Sequence, residues 1–444
     1  MSSTVLVDAN VPVSLDRPDL PHVEPHLAAN PTDPNHLVAA SIVGGFTGVA
    51  VFVSRDGGQT WRSIRSAGMH DLDGFGDPWL AFGPDGNTVY LVGLDDPSNA
   101  VVWRSGDGGL TWSEPSKVPG PGSRPAAYDR PSVVVDQTTA ASRGTVYVLG
   151  ASAVRVDDEH SRSLSAIALS RSSDQGESFE APVLILPTNL RHQAGMPVVL
   201  SDGSVVLSLF DFSTERSSIR LLRTRRAWSI RTTDQGRSFS RPSFIAEITD
   251  FWTFPALAAD TSSGSPFSGR LYAASINGDS LGQDALDHAR HDEVEFVLRT
   301  PIGVFINSSD QQGMIWSHPR LVAGGMAEAR RTAIAVNPQG AVAVGWQQRT
   351  VDSDTCFEPF LSVSLDGGAT FLEPVRVADA AECPEPHTPG NRFNGFDVAE
   401  RWPAGGEYFG LVALPDGSFQ MIWADSRTGV YQLWTARIRV HTAN

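Results

Sequence analysis

The sequence predicts an all-β protein in which seven four-stranded sheets close into a ring, a seven-bladed β-propeller. Two repeated patterns carry this prediction. A turn motif of the form Ser/Thr-x-Asp-x-Gly, followed by Trp or Phe, occurs six times, and a five-residue apolar strand pattern occurs seven times. A repeat of roughly 50 residues is typical of a propeller or a solenoid, because one such unit cannot bury its apolar face alone. A six-bladed ring is the alternative.

The turn motif is expected to connect the third and fourth strands of each unit. Five copies are complete: Ser54–Trp61, Ser105–Trp112, Ser172–Phe179, Thr232–Phe239 and Ser364–Phe371. A sixth, Ser308–Trp316, is degenerate, with Asp310 as its aspartate and one extra residue. The Asp carboxylate accepts N–H bonds from its own turn and the glycine adopts a positive φ, while the aromatic residue begins the next strand. We therefore expect these motifs to be scaffold.

The apolar pattern marks the first strand of each unit. It occurs at residues 26–30, 79–83, 132–136, 197–201, 256–260, 333–337 and 410–414. In the second unit the four strands are expected at Pro78–Phe82, Thr88–Gly93, Val101–Ser105 and from Trp112 onward. The seventh unit has no turn motif because the chain ends after its third strand. Thr4–Asp8 is expected to supply its fourth strand, which removes the free sheet edges.

These patterns predict a single domain over residues 1–444. The expected blades are 22–66, 75–118, 127–186, 191–246, 251–322, 328–378 and 405–441, with 3–9 as the closing strand. Length alone would favour two or three domains, but a propeller of this length can be one domain because its repeated units close into a single ring.

Composition and charge exclude several classes of function. The net charge of −16 argues against a nucleic-acid or anionic-membrane partner. No apolar run approaches 18 residues, and no signal peptide is visible at the start, so the localisation is not indicated. We expect a monomer. The two cysteines, Cys356 and Cys383, are either separate thiols or one disulfide between two loops.

The repeated turn resembles the Asp box of sialidases and related BNR-repeat proteins, and the resemblance covers most of the chain. It implies that the boxes lie on the face opposite the active site, whose pocket is rimmed by the beginnings of the first strands. Counting back seven residues from a reference residue at or just after the end of each first strand (Pro31, Pro84, Asp136, Ser201, Asp260, Pro338 and Pro415) gives one ring position per blade: Glu24, Asp77, Asp129, Ala194, Thr253, Arg331 and Tyr408. Most of these residues are polar, whereas a purely structural ring would be small and apolar.

Such a ring suits glycoside hydrolysis. Carboxylates held close together cannot all ionise easily, so the pKa of one rises and a general acid becomes available. The resemblance implies a Tyr nucleophile with a Glu, for which Tyr408 and Glu407 are candidates although adjacent strand residues face opposite ways. It also implies an Asp acid/base, for which Asp77 and Asp129 are candidates. The arginines from which a clamp for a substrate carboxylate can be drawn are Arg130, Arg330, Arg331 and Arg427. We therefore predict cleavage of an acidic oligo- or polysaccharide, although the F/Y-R-I-P signature of sialidases is missing and Asp129-Arg130-Pro131 does not match it.

Three alternatives stay open. His26, His70 and His192 precede or begin first strands, and with Tyr408 and an Arg they suit β-elimination by a polysaccharide lyase. Trp79 and Trp252 either stack on sugar rings or pack between blades. No cofactor is required, but Glu24, Asp77 and Asp129 are also a candidate Ca²⁺ site, because Ca²⁺ prefers oxygen ligands. The third alternative is a non-catalytic propeller that binds glycans or protein through the same face.

Overall fold

The computed structural model forms a seven-bladed propeller, as predicted, and each blade is an antiparallel sheet of four main strands, here named A to D from the axis outward. It describes residues 3–44, 48–64, 76–95, 99–120, 128–157, 162–188, 191–212, 225–248, 255–277, 302–326, 328–351, 353, 355–385, 388–393 and 396–442. The A strands of neighbouring blades contact one another in ring order, and the A strand of blade 7 contacts that of blade 1.

The first four blades follow one another along the chain. Strands A to D of blade 1 are His22–Ala29, Leu37–Val43, Gly48–Ser54 and Arg62–Ser63. Those of blade 2 are Gly76–Phe82, Val89–Asp95, Asn99–Ser105 and Ser116–Lys117. Those of blade 3 are Tyr128–Val135, Val146–Asp157, Arg162–Ser172 and Val183–Thr188. Those of blade 4 are Arg191–Val199, Val205–Phe212, Arg225–Thr232 and Ser243–Ile248. Strand D of blade 2 thus begins four residues after Trp112, where the sequence predicted its start.

The remaining blades complete the ring. Strands A to D of blade 5 are Ala256–Ala259, Leu271–Asn277, Ile302–Ser309 and Arg320–Met326. Those of blade 6 are Ala329–Val336, Val342–Arg349, Phe357–Ser364 and Val375–Arg376. Strands A to C of blade 7 are Gly410–Ala413, Phe419–Asp425 and Gln432–Thr442. Between blades 6 and 7 lie a 3₁₀ turn, a two-stranded hairpin and a single-turn helix, at Pro389–Asn391, Arg392–Phe393 with Phe396–Asp397, and Val398–Arg401.

The N-terminal strand closes the ring, which confirms the predicted closure. Ser3–Val7 pairs antiparallel with strand C of blade 7, with Val5 opposite Val440. The short strand Val11–Pro12 pairs with the same strand further along. Val5 is buried against the core between blades 6 and 7, whereas Leu6 is half exposed on the other side of the strand. The alternation of one buried and one exposed residue is what a half-covered outer strand requires.

The hydrophobic core lies between neighbouring blades rather than at the centre of the ring. Among the described residues there is an apolar cluster for each pair of neighbours, and the pair formed by blades 7 and 1 is included. In that last cluster Leu27 and Phe52 of blade 1 pack with Ile422 and Leu433 of blade 7. Each sheet therefore buries both faces, which explains why the strands are apolar along most of their length.

The turn motifs lie between strands C and D, as expected. In blade 1 the Ser54 hydroxyl accepts a hydrogen bond from the Gly58 N–H at 2.9 Å. Asp56 Oδ1 accepts the Thr60 N–H at 2.9 Å, and Asp56 Oδ2 accepts the Thr60 hydroxyl at 2.6 Å. These bonds are local to the turn, so the motif is scaffold in this blade.

The degenerate motif of blade 5 corrects the sequence alignment. Its turn serine is Ser309, whose hydroxyl accepts the Gly313 N–H at 3.0 Å, so the copy has the standard length without an extra residue. Gln311 then occupies the aspartate position, and Ile315 replaces the usual Thr or Ser. Asp310 instead pairs with Arg270 at 2.6 Å. The carboxylate and the hydroxyl that bind each other in other copies are thus both missing here.

The two cysteines form a disulfide, Cys356–Cys383, which decides between the two alternatives left open by the sequence. It joins the start of strand C of blade 6 to the connection that leads to blade 7. The adjacent residues Phe357 and Glu382 form an isolated antiparallel bridge. Among the described residues, no helix has the length and apolar character needed to cross a membrane.

Candidate functional site

The A strands share an irregularity near their first residues. The pairing of strand A with strand B shifts register at the beginning of blades 1, 2, 3, 4 and 6. At four of these shifts a charged residue has left-handed backbone: Glu24, Asp77, Arg130 and Arg331 have φ of 54°, 52°, 51° and 54°. Such a conformation costs a non-glycine residue roughly 1–2 kcal/mol, so it persists only where the surrounding structure imposes it.

Small residues on strand B make room for these bulges. Gly93 faces the bulge of blade 2, and a Cβ atom there would lie 3.3 Å from the carbonyl oxygen of Gly76. Gly150 faces the bulge of blade 3, where a Cβ would lie 3.3 Å from the carbonyl oxygen of Asp129. Because strands A, B and C alternate in direction, the bulges lie at the end of the ring opposite the C–D turns.

The aligned ring residue holds the bulge position in three blades and lies beside it in two. Glu24, Asp77 and Arg331 are the three ring residues with left-handed backbone at the bulge. In blade 3 that position belongs to Arg130, one residue after Asp129, because the sequence count began one residue too early at the end of this strand. In blade 4 the shift lies between Ala194 and Pro197. Thr253 lies outside the described residues.

A small pocket with a cavity volume of about 20 Å³ opens between the beginnings of blades 2, 3, 4 and 7. The residues that line it are Asp77, Trp79, Arg130, Pro131, Ser132, Ala194, Gly195, Met196 and Tyr408. The lining therefore has an apolar part and a polar part, here called the polar wall, which carries a carboxyl group, a guanidinium, a phenol and an indole. This division is typical of small-molecule sites, in which a few polar groups orient the ligand.

One buried and one half-buried carboxyl group lie at the polar wall. Glu24 is only 2% exposed, and burial raises its pKa to about 8, with the charge of Asp77 adding to the rise. Burial also raises the pKa of Asp77 to about 6, and the charge of Asp129 acts in the same direction. Asp77 Oδ2 accepts the Arg130 N–H at 3.2 Å. At neutral pH Glu24 therefore holds a proton, whereas Asp77 is poised to gain or lose one.

The segment Ala404–Tyr408 brings the last polar groups to this wall. Arg331 Nη1 donates to the Ala404 carbonyl at 2.9 Å, and the Glu24 N–H donates to the Gly405 carbonyl at 3.0 Å. Glu24 Oε1 accepts the Glu407 N–H at 2.8 Å. Bulge residues of two blades thus hold the segment on both sides.

Both Glu407 and Tyr408 reach the site, although adjacent residues of a strand would face opposite ways. They precede strand A of blade 7, which begins at Gly410, so the alternation of a strand does not apply to them. Glu407 forms an ion pair with Arg130, and Tyr408 lines the pocket. Burial raises the pKa of Tyr408 well above its usual value, and the charges of Glu24 and Asp77 add to this. Its hydroxyl has no hydrogen-bond partner among the described residues.

Three tilted aromatic rings lie side by side near Asp77. The ring centroids of His26 and Trp79 are 3.9 Å apart, and those of Trp79 and Tyr408 are 6.0 Å apart. His26 Nδ1 accepts the Leu80 N–H at 3.1 Å, and burial lowers the pKa of His26 to about 3. His26 is therefore a neutral imidazole whose Nδ1 is occupied by the neighbouring blade. Trp79 lines the pocket, where its ring can serve as a platform for a sugar.

Arg331 and Asp129 differ in their access to ligand. Arg331 is 2% exposed, and its guanidinium donates to Gln347 Oε1 at 2.7 Å as well as to Ala404, so it acts here as a clamp within the protein. Asp129 is exposed beside the pocket, and its Oδ2 accepts a hydrogen bond from Gln193 Nε2 at 2.8 Å.

Other predicted residues have partners outside the pocket. Arg330 pairs with Glu328 and lies over Phe357, with 4.8 Å to the ring centroid. Arg427 pairs with Asp425 at 2.6 Å and lies over Trp434 at 4.3 Å. None of these partners lines the pocket.

His192 is buried near the start of strand A in blade 4, opposite Asp211 on strand B. Burial lowers the pKa of His192, and its Nδ1 has no hydrogen-bond partner among the described residues. His70 and Trp252 lie outside the described residues. Among the described residues, no three His, Cys, Asp or Glu side chains come together as a metal site. Glu24, Asp77 and Asp129 all lie among the described residues, so the candidate Ca²⁺ site is not found there.

Sequence reasoning did not single out Glu382, a buried carboxyl group on the connection to blade 7. It is fully buried, and burial raises its pKa well above the usual value, with the charge of Asp425 adding to the rise and that of Arg331 opposing it. Its position next to Cys383 was the one signal available, because a disulfide holds its backbone beside blade 6.

Comparisons with known proteins support the repeat and the fold. The BNR/Asp-box repeat family model matches residues 52–63, which contain the first turn motif. No curated protein shows significant similarity to the chain. An ulvan lyase, a polysaccharide lyase, has a similar structure with a TM-score of 0.55, 11% identity and coverage of 94% of this chain and 93% of that one.

Two further structures are similar at lower TM-scores. A protein of unknown function from Dyadobacter fermentans has a TM-score of 0.49 and 12% identity, covering 98% of this chain and 99% of that one. A Hadza microbial sialidase has a TM-score of 0.48 and 15% identity, covering 90% and 73%. At 11% identity, the similarity to the ulvan lyase shows the fold alone and does not decide the activity.

Proposed function

We propose that the protein is a carbohydrate-active enzyme that cleaves a glycosidic bond in the pocket at the beginnings of the A strands. One observation carries the proposal: Asp77, Trp79 and Tyr408, from two blades far apart in sequence, converge on one small pocket. An aromatic platform beside a carboxyl group of raised pKa provides both the binding and the proton that glycoside cleavage needs. Solved propellers of similar fold include a polysaccharide lyase, which is consistent with this class.

In the hydrolytic mechanism Asp77 is the general acid. Its pKa of about 6 lets it hold a proton under mildly acidic conditions and give it to the leaving glycosidic oxygen. Asp129, whose charge acts on Asp77, takes a proton from a water molecule. The water oxygen bonds to the anomeric carbon as the glycosidic C–O bond breaks. Tyr408 serves as a neutral hydrogen-bond donor, because the surrounding carboxyl groups oppose its ionisation.

The finer substrate prediction, an acidic saccharide, depends on Arg130. It is the arginine that lines the pocket among the described residues, and a guanidinium suits a carboxylate. Arg130 would bind a substrate carboxylate only if Glu407, its partner in the ion pair, were displaced or shared.

β-Elimination is the second candidate, because the similar fold of an ulvan lyase is consistent with it. In that reaction a base removes the proton beside a uronic acid carboxylate; His192 is a neutral imidazole but does not line the pocket. The C–O bond to the leaving sugar then breaks, a carbon–carbon double bond forms, and the leaving oxygen takes a proton. Hydrolysis adds water to the products whereas elimination does not, so product mass distinguishes the two. Unsaturated uronic products with Tyr408 essential would favour the lyase.

The test compares the wild-type protein with Asp77→Asn and Tyr408→Phe on a panel of neutral and acidic oligosaccharides. We expect Asp77→Asn to reduce kcat by about 10²–10⁴-fold and Tyr408→Phe by a smaller factor, with unchanged thermal unfolding. The control Glu373→Gln removes one exposed negative charge away from the pocket and should leave turnover unchanged. Undiminished rates in Asp77→Asn would reject the assignment. Saturable binding without product for every saccharide would instead support a non-catalytic glycan-binding propeller.

A further inference from the structure

The charges of the pocket are almost fully compensated inside the protein. Besides Tyr408, the ionisable residues that line it are Asp77 and Arg130. Arg130 pairs with Glu407, and their side chains are only 16% and 7% exposed. A desolvated pair of this kind holds its geometry strongly, because separation would leave one charge buried without its partner.

Glu407 is held so that it cannot turn away from Arg130 easily. Its N–H is bound to Glu24, and it follows Gly405 and Gly406, whose φ values are 79° and 121°. A Cβ atom on Gly406 would lie 2.3 Å from Glu24 Cγ, so the backbone here is packed directly on Glu24. The backbone of Glu407 is therefore held rigidly, and its carboxylate stays paired with the Arg130 guanidinium.

The other arginines predicted to bind a carboxylate are occupied too. Arg331 is bound to Gln347 and the Ala404 carbonyl, Arg330 to Glu328, and Arg427 to Asp425. Pro131, Ala194, Gly195 and Met196, which also line the pocket, carry no charge. A carboxylate on the substrate would lie near the negative charges of Asp77 and Glu407, and the lining residue that could balance them is Arg130. Like charges brought together across an interface cost several kcal/mol.

We propose that Glu407 is a specificity-determining residue that occupies Arg130 in place of a substrate carboxylate and restricts the pocket to neutral saccharides. The inference rests on the proposed function, since it names the substrate class of the same pocket. Glu407 acts by occupying Arg130 and needs no contact with the scissile bond. Removal of its charge frees the guanidinium for a carboxylate, so the substrate preference, rather than the chemistry, is the property that changes.

The experiment measures kcat/KM for matched oligosaccharide pairs that differ only in a C6 hydroxymethyl group or a C6 carboxylate. The wild-type protein is expected to favour the neutral member by at least about tenfold, and Glu407→Gln to move the ratio toward the acidic member by at least about tenfold. The gain should weaken at high salt, since it depends on the charge of Arg130. Glu328→Gln is the matched control: it removes the carboxylate partner of Arg330, which lies outside the pocket, and should leave the ratio unchanged.

Preference of the wild-type protein for the acidic member would overturn the inference without any variant. An unchanged ratio in a folded Glu407→Gln would overturn it as well. If Glu407→Gln does not fold, the wild-type ratio decides. If neither series is cleaved, the proposed function fails, and calorimetric titration of the same oligosaccharide pairs tests the inference separately. Preferential binding of the neutral member supports the inference. Equal binding of both members, or no binding, rejects it.

Discussion

The backbone N–H of Glu407 donates a 2.8 Å hydrogen bond to Glu24 Oε1, across the junction where the last blade meets the first. The same contact therefore belongs both to the closure of the ring and to the candidate site. A second hydrogen bond joins the same two segments, since the Glu24 N–H donates to the Gly405 carbonyl at 3.0 Å. The position of Tyr408 in the pocket thus depends on ring closure, and four changes test the consequences.

Gly406→Ala should displace Tyr408 and abolish activity. The new Cβ would lie 2.8 Å from the Glu24 backbone nitrogen, and Gly406 has a φ of 121°, so neither partner can move freely. We expect a loss of about 1–3 kcal/mol in the free energy of unfolding, measured in urea, together with a loss of turnover. Gly429→Ala is the control, because Gly429 also has a positive φ, 90°, but open space around it. Equal effects of the two changes would show that the contact with Glu24 is unimportant.

Glu24→Gln should remove a pH dependence of stability. The folded pKa of about 8 exceeds the ordinary 4.5, so the native state binds more protons than the unfolded state between these values. The free energy of unfolding therefore falls as pH rises from about 4.5 to about 8. Glu24→Gln cannot ionise, and it should exceed the wild type in stability at pH 8 by on the order of 2–4 kcal/mol, but not at pH 4. Denaturant titrations at both pH values measure this, and Glu373→Gln should follow the wild type.

The rate of cleavage should fall as pH rises through about 6. Asp77 acts as a general acid only while it is protonated, and its raised pKa of about 6 places that loss in mildly acidic solution. A pH profile of kcat between pH 4 and 8 measures the midpoint. A profile that is flat across this range would contradict the role of Asp77, even if Asp77→Asn were inactive.

Val5→Asp should open the ring whereas Leu6→Asp should not. Val5 is 7% exposed against the core between blades 6 and 7, and Leu6 is 50% exposed on the neighbouring position of the same strand. A buried charge without a partner costs several kcal/mol, while exposed substitutions usually change stability by about 0.5 kcal/mol or less. Thermal unfolding of the two variants provides the comparison. Similar melting temperatures would mean that the closing strand contributes little.

Local repeats made the architecture predictable. The turn at Asp56 is stabilised by hydrogen bonds to Ser54 and Thr60, both within four residues, so the local sequence is enough to predict the turn. The copy in blade 5 was misaligned because its aspartate was matched rather than its serine: Ser309 binds Gly313, and Asp310 lies outside the turn pattern. The alignment selected Asp129 instead of Arg130 for a similar reason, because the end of a strand varies by a residue and is a poor point from which to count.

The sequence by itself determined the seven units, the place of their turns and the closing strand, because each depends on bonds between near neighbours or on the alternation of apolar residues. It also placed charged residues at the start of several inner strands. Only the tertiary structure decided which of those charges meet. Arg130 pairs with Glu407, and Glu24 binds the Glu407 N–H, although these residues are hundreds of positions apart. No local pattern encodes such contacts, since they form when closure of the ring brings the segment before blade 7 against blades 1 and 3.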